Sequence, residues 1–338
     1  MSVQLNNTCL VTGGAGFIGS HLVDYLIKFG NQVVVIDNLS YSGNLENLNN
    51  AQASGSLIFK KTDICDDAEI LKILNEYNIG TVFHLAAESH VDNSIKNATP
   101  FIQTNIVGTF SMLTASLQYW ETREKNSNFR FIHVSTDEVF GHLTDDEPPF
   151  TESSAYAPNS PYAASKAASD HLARAWHVTY GLPVIITNCS NNFGSRQHHE
   201  KLIPTIIRNA LQSRPIPIYG TGKNIRDWLF VEDHCRGLHL AATKGKIGET
   251  YCFGGNNEKR NIDLANEICQ ILDEVNPRKD KKSFQSQITY VENRKGHDWR
   301  YAINFRKAKD ELGFYPSEQK IESLRSVVLD YINQINKE

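Results

Sequence analysis

Residues Thr12-Gly13-Gly14-Ala15-Gly16-Phe17-Ile18-Gly19 place glycines at 13, 16 and 19, between a short apolar run and a segment of helical spacing. The run is Thr8 to Thr12, and the segment Phe17 to Phe29 carries Ile18, Leu22, Leu26 and Ile27 on one stripe. A glycine turn that closes a strand and opens a helix admits few folds. Gly13 permits the tight turn, Gly16 lets a pyrophosphate approach the backbone, and Gly19 lets helix and strand pack closely, with the helix N-terminus facing the anion.

The strand and helix rhythm continues from there. Gln32 to Asp37, Leu57 to Lys61, Thr81 to Ala86, Phe129 to Ser135 and Pro183 to Ser190 read as strands, and Asp66 to Tyr77, Thr99 to Glu124 and Ser160 to Tyr180 as helices. Continuous apolar strands separated by helices predict an α/β fold, a Rossmann-like doubly wound parallel sheet covered on both faces. After Asn192 the rhythm loosens into Pro- and Gly-containing stretches at 214–222, 254–257 and 276–280, the sign of a smaller mixed α/β C-terminal substrate domain. The expected division is a cofactor domain over 1–190, completed by 229–252, and a substrate domain over 191–228 and 253–338.

Bulk properties exclude other classes. With 34 basic and 38 acidic residues the net charge is -4, too balanced for an electrostatic hold on nucleic acid or anionic lipid. Six scattered cysteines form no close pair, so reduced thiols are expected and no metal site. His198, His199 and Glu200 lack a third ligand spacing and add none. Met1 to Asn7 has no signal-peptide character and no apolar run is long enough to span a bilayer, so the expected compartment is cytoplasmic.

Asp37 ends the second strand, where its carboxylate can accept hydrogen bonds from an adenosine ribose, and no basic residue follows closely to neutralise a 2'-phosphate. NAD is therefore expected rather than NADP. Asp63 suits either the adenine edge or a helix N-cap. Ser160, Pro161 and Gly181 mark a helix from start to stop, which puts Tyr162 and Lys166 one turn apart on one face, a proton acceptor beside an ammonium. At the end of the central strand stand Thr136, Asp137 and Glu138. Both acids can serve one substrate only if the chain leaves strand geometry there; otherwise one of them is a cap or a surface charge. An acid beside a base removes water, which hydride transfer alone does not require.

Together with residues 84–92 (HLAAESHVD), 187–192 (TNCSNN), 200–204 (EKLIP), 226–228 (RDW) and 296–298 (GHD), these motifs resemble the extended short-chain dehydrogenase/reductases, and among them the nucleotide-sugar 4,6-dehydratases. The resemblance covers almost the whole chain. Its discriminating piece is Thr136-Asp137-Glu138, since related epimerases and decarboxylases keep the glycines, Tyr and Lys without the acid pair. It implies a lyase of deoxysugar biosynthesis acting on dTDP-glucose. Tyr162 takes the C4 hydroxyl proton, Thr136 binds at that hydroxyl, Glu138 removes the C5 proton, Asp137 protonates the departing C6 hydroxyl, and NAD carries the hydride.

The resemblance also implies NAD contacts from Phe17, Ile18, Asp37, Asn38, Leu39, Ser40, Asp63, Ile64, Leu85, Ala86, Ala87, Glu88, Ser89, Thr104, Tyr162, Lys166 and Asn192. For the sugar nucleotide it implies Ser89, Asn191, Lys201, Leu202, Pro217, Ile218, Tyr219, Arg226, Asn261, Arg294, His297 and Asp298. Arg226 suits a diphosphate, with a salt bridge to Asp233 or another acid as the alternative. A homodimer is expected from the surplus of apolar positions on the helices from Thr99 and Ser160 and from the family's habit of pairing them. Departures at Asn93, Ser195, 196–199, Lys295 and Trp299 lie around the nucleotide pocket. UDP-glucose therefore stays open as substrate, as do a 4-epimerase and a non-catalytic NAD-binding regulator.

Overall fold

Strands with apolar side chains on both faces must be covered on both faces, and this requirement organises the molecule. The computed structural model describes residue 5 and residues 8–335 apart from 124, 126 and 127. Its strands are β1 (Thr8–Thr12), β2 (Val33–Asp37), β3 (Leu57–Lys61), β4 (Ile79–His84), β5 (Arg130–Thr136), β6 (Val184–Cys189), β7 (Asn191–Phe193), β8 (Ile216–Tyr219), β9 (Ile225–Phe230), β10 (Thr250–Phe253), β11 (Glu258–Arg260) and β12 (Ile288–Val291). Seven of them form one sheet in the order β3-β2-β1-β4-β5-β6-β10, with every neighbouring pair parallel. This is the doubly wound fold expected from the sequence. The strand order reverses between β1 and β4, and a crevice opens beyond their carboxyl ends.

Alternating side chains feed two cores. Cys9 and Val11 pack with Leu22 and Leu26 on one face, where Val231, Leu238, Tyr251 and Phe253 join them, as do Ala308, Leu312 and Phe314 from near the C-terminus. Leu10, Val34 and Ile36 pack with Ile70, Met112, Leu113 and Phe131 on the other. Each fully buried aliphatic of this kind contributes roughly 1.5–3 kcal/mol. A third core gathers Phe193, Ile203, Ile207, Leu264, Ile268 and Val328 beside two small sheets, β11-β9-β7 and β12-β8.

Two elements differ from the sequence reading. The strand expected over 81–86 ends at His84, because the amides of Leu85 and Ala86 donate to the Thr12 hydroxyl at 3.0 and 2.9 Å instead of continuing the ladder. The helix expected over 99–124 is helical through Thr122 but widens to a π-helix over Ile102–Gly108; Glu124 lies outside the described residues. Asn105 in that widened turn bonds Glu88 through both backbone groups, at 2.8 and 3.0 Å. The helix Pro161–Tyr180 has the ends the sequence announces: the Ser160 hydroxyl accepts from the Ala163 amide, and Gly181 adopts the left-handed conformation.

Candidate active site

The glycine turn is sterically obligatory. Gly13 has φ +67°, and a Cβ there would stand 2.8 Å from the Ala86 Cα; a Cβ on Gly19 would stand 2.2 Å from the Gly13 carbonyl. No side chain caps the helix Phe17–Lys28 at Gly16, so its first amides are left for an anion. Along the cleft from this turn lie Gly13, Gly16, Phe17, Ile18, Gly19, Asp37, Asn38, Ser40, Ile64, Leu85 to Ser89, Thr104 and Asn192. Asp37 accepts from the Ala15 and Leu39 amides at 3.0 and 2.8 Å; burial pushes its pKa up, and these two bonds oppose the rise. The carboxylate keeps free lone pairs toward the cleft.

Leu39 and Asp63 stand outside the cleft lining. Leu39 makes a left-handed turn, φ +56°. Asp63 accepts from the Cys65 amide at 2.8 Å and from Asn38 at 3.3 Å, while Asp66 caps the helix Asp67–Glu76. The helix-cap alternative for Asp63 therefore falls to its neighbour.

The same cleft runs on to Thr136, Asp137, Glu138, Tyr162, Lys166, Asn191 and Lys201. The chain leaves β5 at Thr136, whose hydroxyl accepts from the Glu138 amide and starts a 3-10 turn, Asp137–Phe140. That turn satisfies the condition for two consecutive acids to reach one cleft.

The two acids have unequal surroundings. Asp137 is 1% exposed, and its pKa is raised well above the usual range by burial, then by the Glu138 and Asp227 charges. Glu138 is part-buried at the cleft wall; burial raises its pKa too, and Arg294, Lys201 and Arg226 oppose part of that rise. Burial and neighbouring acids thus favour the protonated form of Asp137 more than that of Glu138, which alone of the two has three cations opposing the rise.

Tyr162 and Lys166 depart from the sequence expectation in detail. Burial first, and then Glu138, push the Tyr162 phenol well above its ordinary pKa, against a Thr136 hydrogen bond that favours the phenolate. Lys166 donates to the Val134 carbonyl at 2.8 Å, and burial lowers its pKa.

Cations collect toward the C-terminal lobe. Lys201 donates to the Ser89 carbonyl at 2.8 Å. Arg226 stacks on Tyr301 at 4.2 Å and donates to the carbonyls of Ile225, Trp299 and Asp298 at 2.7, 3.3 and 2.9 Å. Asp233, the sequence alternative as its partner, pairs with Arg236 instead. Arg294 lies 3.7 Å from Asp92, which also accepts from Tyr219 at 3.2 Å. His297 sits against Tyr219, its pKa lowered to about 3 by burial and the two arginines.

Other expected substrate residues are placed less directly. Ile218 turns into the third core between Pro217 and Tyr219. Leu202 opens the helix Leu202–Leu211, and Asn261 opens Asn261–Val275 with a buried amide oxygen lacking a hydrogen bond. The Asp298 carboxylate is occupied by Asn159, His142 and Tyr301. Sequence reasoning missed Tyr41 in the cleft wall and gave no individual role there to Cys189, Ser190, Gln197 or His198. It also missed the polar set His133, Ser135, Tyr156, Asp170 and Asn188 behind it. An Asp one turn after Lys166 was the available signal. Among the described residues no cluster of three His, Cys, Asp or Glu side chains suits a metal.

The family model described as GDP-mannose 4,6 dehydratase matches residues 10–326. The dTDP-glucose 4,6-dehydratase of Salmonella typhimurium is 53% identical over 334 residues, covering 96% of this chain and 92% of that protein. Its counterpart in Haemophilus influenzae is 51% identical over 96% and 97%. The crystal structure of the dTDP-glucose 4,6-dehydratase of Streptomyces venezuelae, with NAD bound, superposes with TM-score 0.88 at 41% identity over 98% of both chains. A UDP-glucose 4-epimerase of Thermotoga maritima has TM-score 0.84 at 30% identity, covering 97% of this chain and 99% of that one. The glycine turn, the Tyr-Lys helix and the acid pair thus stand on a shared framework, and the chain belongs to the GDP-mannose 4,6-dehydratase family of extended short-chain dehydrogenase/reductases.

Proposed function

We infer that the protein is an NAD-dependent hydro-lyase that converts dTDP-glucose to dTDP-4-keto-6-deoxyglucose and water. The observation that carries this reading is the unequal acid pair, Asp137 buried beside Asp227 and Glu138 faced by three cations, in one cleft with Tyr162 and Lys166. A 4-epimerase needs only the tyrosine and lysine.

NAD fits the glycine turn, the uncapped helix end and Asp37, and it supplies the acceptor for the C4 hydride and the donor that returns it to C6. The protein's own residues handle the protons. Tyr162 takes the C4 hydroxyl proton, with Thr136 bonded at the same oxygen. The resulting 4-ketone acidifies the C5 hydrogen, which Glu138 removes, and Asp137 gives its proton to the departing C6 hydroxyl, releasing water. Lys166 supplies positive charge beneath the tyrosine. Arg226, Lys201 and Arg294 hold the nucleotide diphosphate and favour the ionised form of Glu138 against its burial.

The cleft divides the labour between a cofactor domain, 1–190 with 229–252, and a substrate domain, 191–228 with 253–338. Exposed Ile102, Phe110, Val178 and Tyr180 lie on the helices ending at Thr122 and Tyr180, and Phe110, Trp176 and Tyr180 form one aromatic surface. That surface supports a homodimer built on these helices. Among the described residues the six cysteines form no disulfide, and reduced thiols with a freely diffusing nucleotide-sugar substrate favour the cytoplasm. Among the described residues no helix is long and apolar enough to cross a membrane.

Incubating the purified protein with dTDP-glucose and, separately, UDP-glucose, without added NAD, tests the function. The 4-keto-6-deoxy product should form from dTDP-glucose at the higher kcat/KM. A 4-epimer, or no turnover of either sugar, sinks the reading.

A further inference from the structure

Behind the reacting groups lies a buried polar cluster with no part in the proton transfers just described. Asp170 is 2% exposed and sits one turn beyond Lys166 on the same helix. One of its oxygens accepts from His133 Nε2 at 2.9 Å. The other accepts from Ser135 Oγ and Tyr156 Oη at 2.8 Å each and from Asn188 Nδ2 at 3.3 Å. The donors come from separate elements: His133 and Ser135 from β5, Asn188 from β6, Tyr156 from the loop before the helix.

The three donors on β5 and β6 are tied to the active site. Ser135 immediately precedes Thr136, Asn188 also donates to the Thr136 carbonyl at 3.1 Å, and Lys166 donates to the carbonyl of Val134, between His133 and Ser135. His133 is held neutral, its pKa lowered by burial and then by Lys166, so its one ring proton goes to Asp170, and its Nδ1 has no hydrogen-bond partner.

We propose that Asp170 is a positioning residue for the reaction: its carboxylate clamps the helix face bearing Tyr162 and Lys166 to the strand ends that present Thr136 and Asp137, and holds the Lys166 ammonium in place by its charge. A buried carboxylate is costly unless several donors and a cation compensate it, and this one has both. A neutral side chain of the same shape would keep some of the hydrogen bonds but not the charge. The titratable groups that act on Lys166 are Asp170 on its own helix, His133 on β5, Cys189 on β6 and His84 on β4, with Tyr162 and Asp137 lining the same cleft. Among them Asp170 is the first to favour the charged amine, against burial. The inference rests on the roles given above to Tyr162 and Lys166.

The test compares wild type, Asp170→Asn and Tyr156→Phe in pH profiles of kcat with dTDP-glucose. Asp170→Asn removes the charge that helps Lys166 keep its proton, so the alkaline limb should move down by about half a pH unit or more. Its kcat should fall by about 10-fold or more while KM stays within about 2-fold. Tyr156→Phe removes one donor and leaves the charge; its kcat should drop about 3-fold with the alkaline limb in place. An Asp170→Asn profile that overlays wild type overturns the proposal, as does an equal shift in both variants. If Asp170→Asn fails to fold, Ser135→Ala and Tyr156→Phe decide: wild-type kcat in both overturns the clamp, and reduced kcat at unchanged KM upholds it. Wild-type protein that does not turn over dTDP-glucose would instead defeat the functional reading.

Discussion

The two ends of the cleft solve ligand binding in opposite ways. At the cofactor end the contacts are backbone: a glycine turn, an uncapped helix end and one carboxylate, Asp37, whose bonds within the chain are to amides. At the substrate end the contacts are buried charge: Asp137, Glu138 and Asp227 against Arg226, Arg294 and Lys201. The first end is rigid because sterics leave it no alternative. At the other end isolated charges are expensive to bury, so each acid takes its protonation state from its neighbours. Binding precision comes from shape at one end, and chemical reactivity from electrostatics at the other.

Substitutions at each end can break this contrast. The largest effect is expected for Glu138→Gln, which keeps the shape and deletes the base: turnover should drop by about 10²–10⁴-fold. Oxidation at C4 should persist while exchange of the C5 proton with solvent is lost; undiminished exchange, followed by NMR in deuterium oxide, would remove Glu138 from its role. Next comes Gly19→Ala at the steric end. A Cβ only 2.2 Å from the Gly13 carbonyl must displace the turn, at a cost of about 1–3 kcal/mol. NAD carried through purification should fall sharply, and full occupancy by absorbance would contradict the steric account.

Arg226→Lys keeps the charge but loses the planar fork stacked on Tyr301. KM should rise by about 10-fold with a smaller change in kcat, as read from initial rates. The smallest effect concerns pH. Lys201 lowers the Glu138 pKa, so Lys201→Gln should let Glu138 hold its proton to higher pH. Activity is lost as pH falls through that pKa, so the acid limb of kcat should move up by a fraction of a unit. A limb that moves down would reverse the charge assignment.

Legibility in the sequence followed the same divide. The strand Leu57–Lys61 and the helix Pro161–Tyr180 appear at the expected bounds, because an apolar run or a Ser-Pro start with a Gly stop is local information. Phe17, Ile18, Leu85 and Thr104 fall in the cleft wall. Asp63 does not, because the capping position it competed for belongs to Asp66, and its own carboxylate closes a turn onto Cys65. The π-turn at Ile102–Gly108 left no periodic trace, since one widened turn barely shifts an apolar stripe.

By itself, the sequence determined the parallel sheet, the glycine turn that faces a dinucleotide, and the Tyr-Lys helix face, since each depends on residues within a few turns of one another. Only the tertiary structure decided that Asp137 is buried beside Asp227 while three cations face Glu138, that Arg226 holds backbone carbonyls rather than Asp233, and that Asp170 bonds the strand ends. Those outcomes depend on burial and on groups more than 30 residues away in the chain, and the free energy of a buried charge is set by what surrounds it in space, which no local pattern encodes.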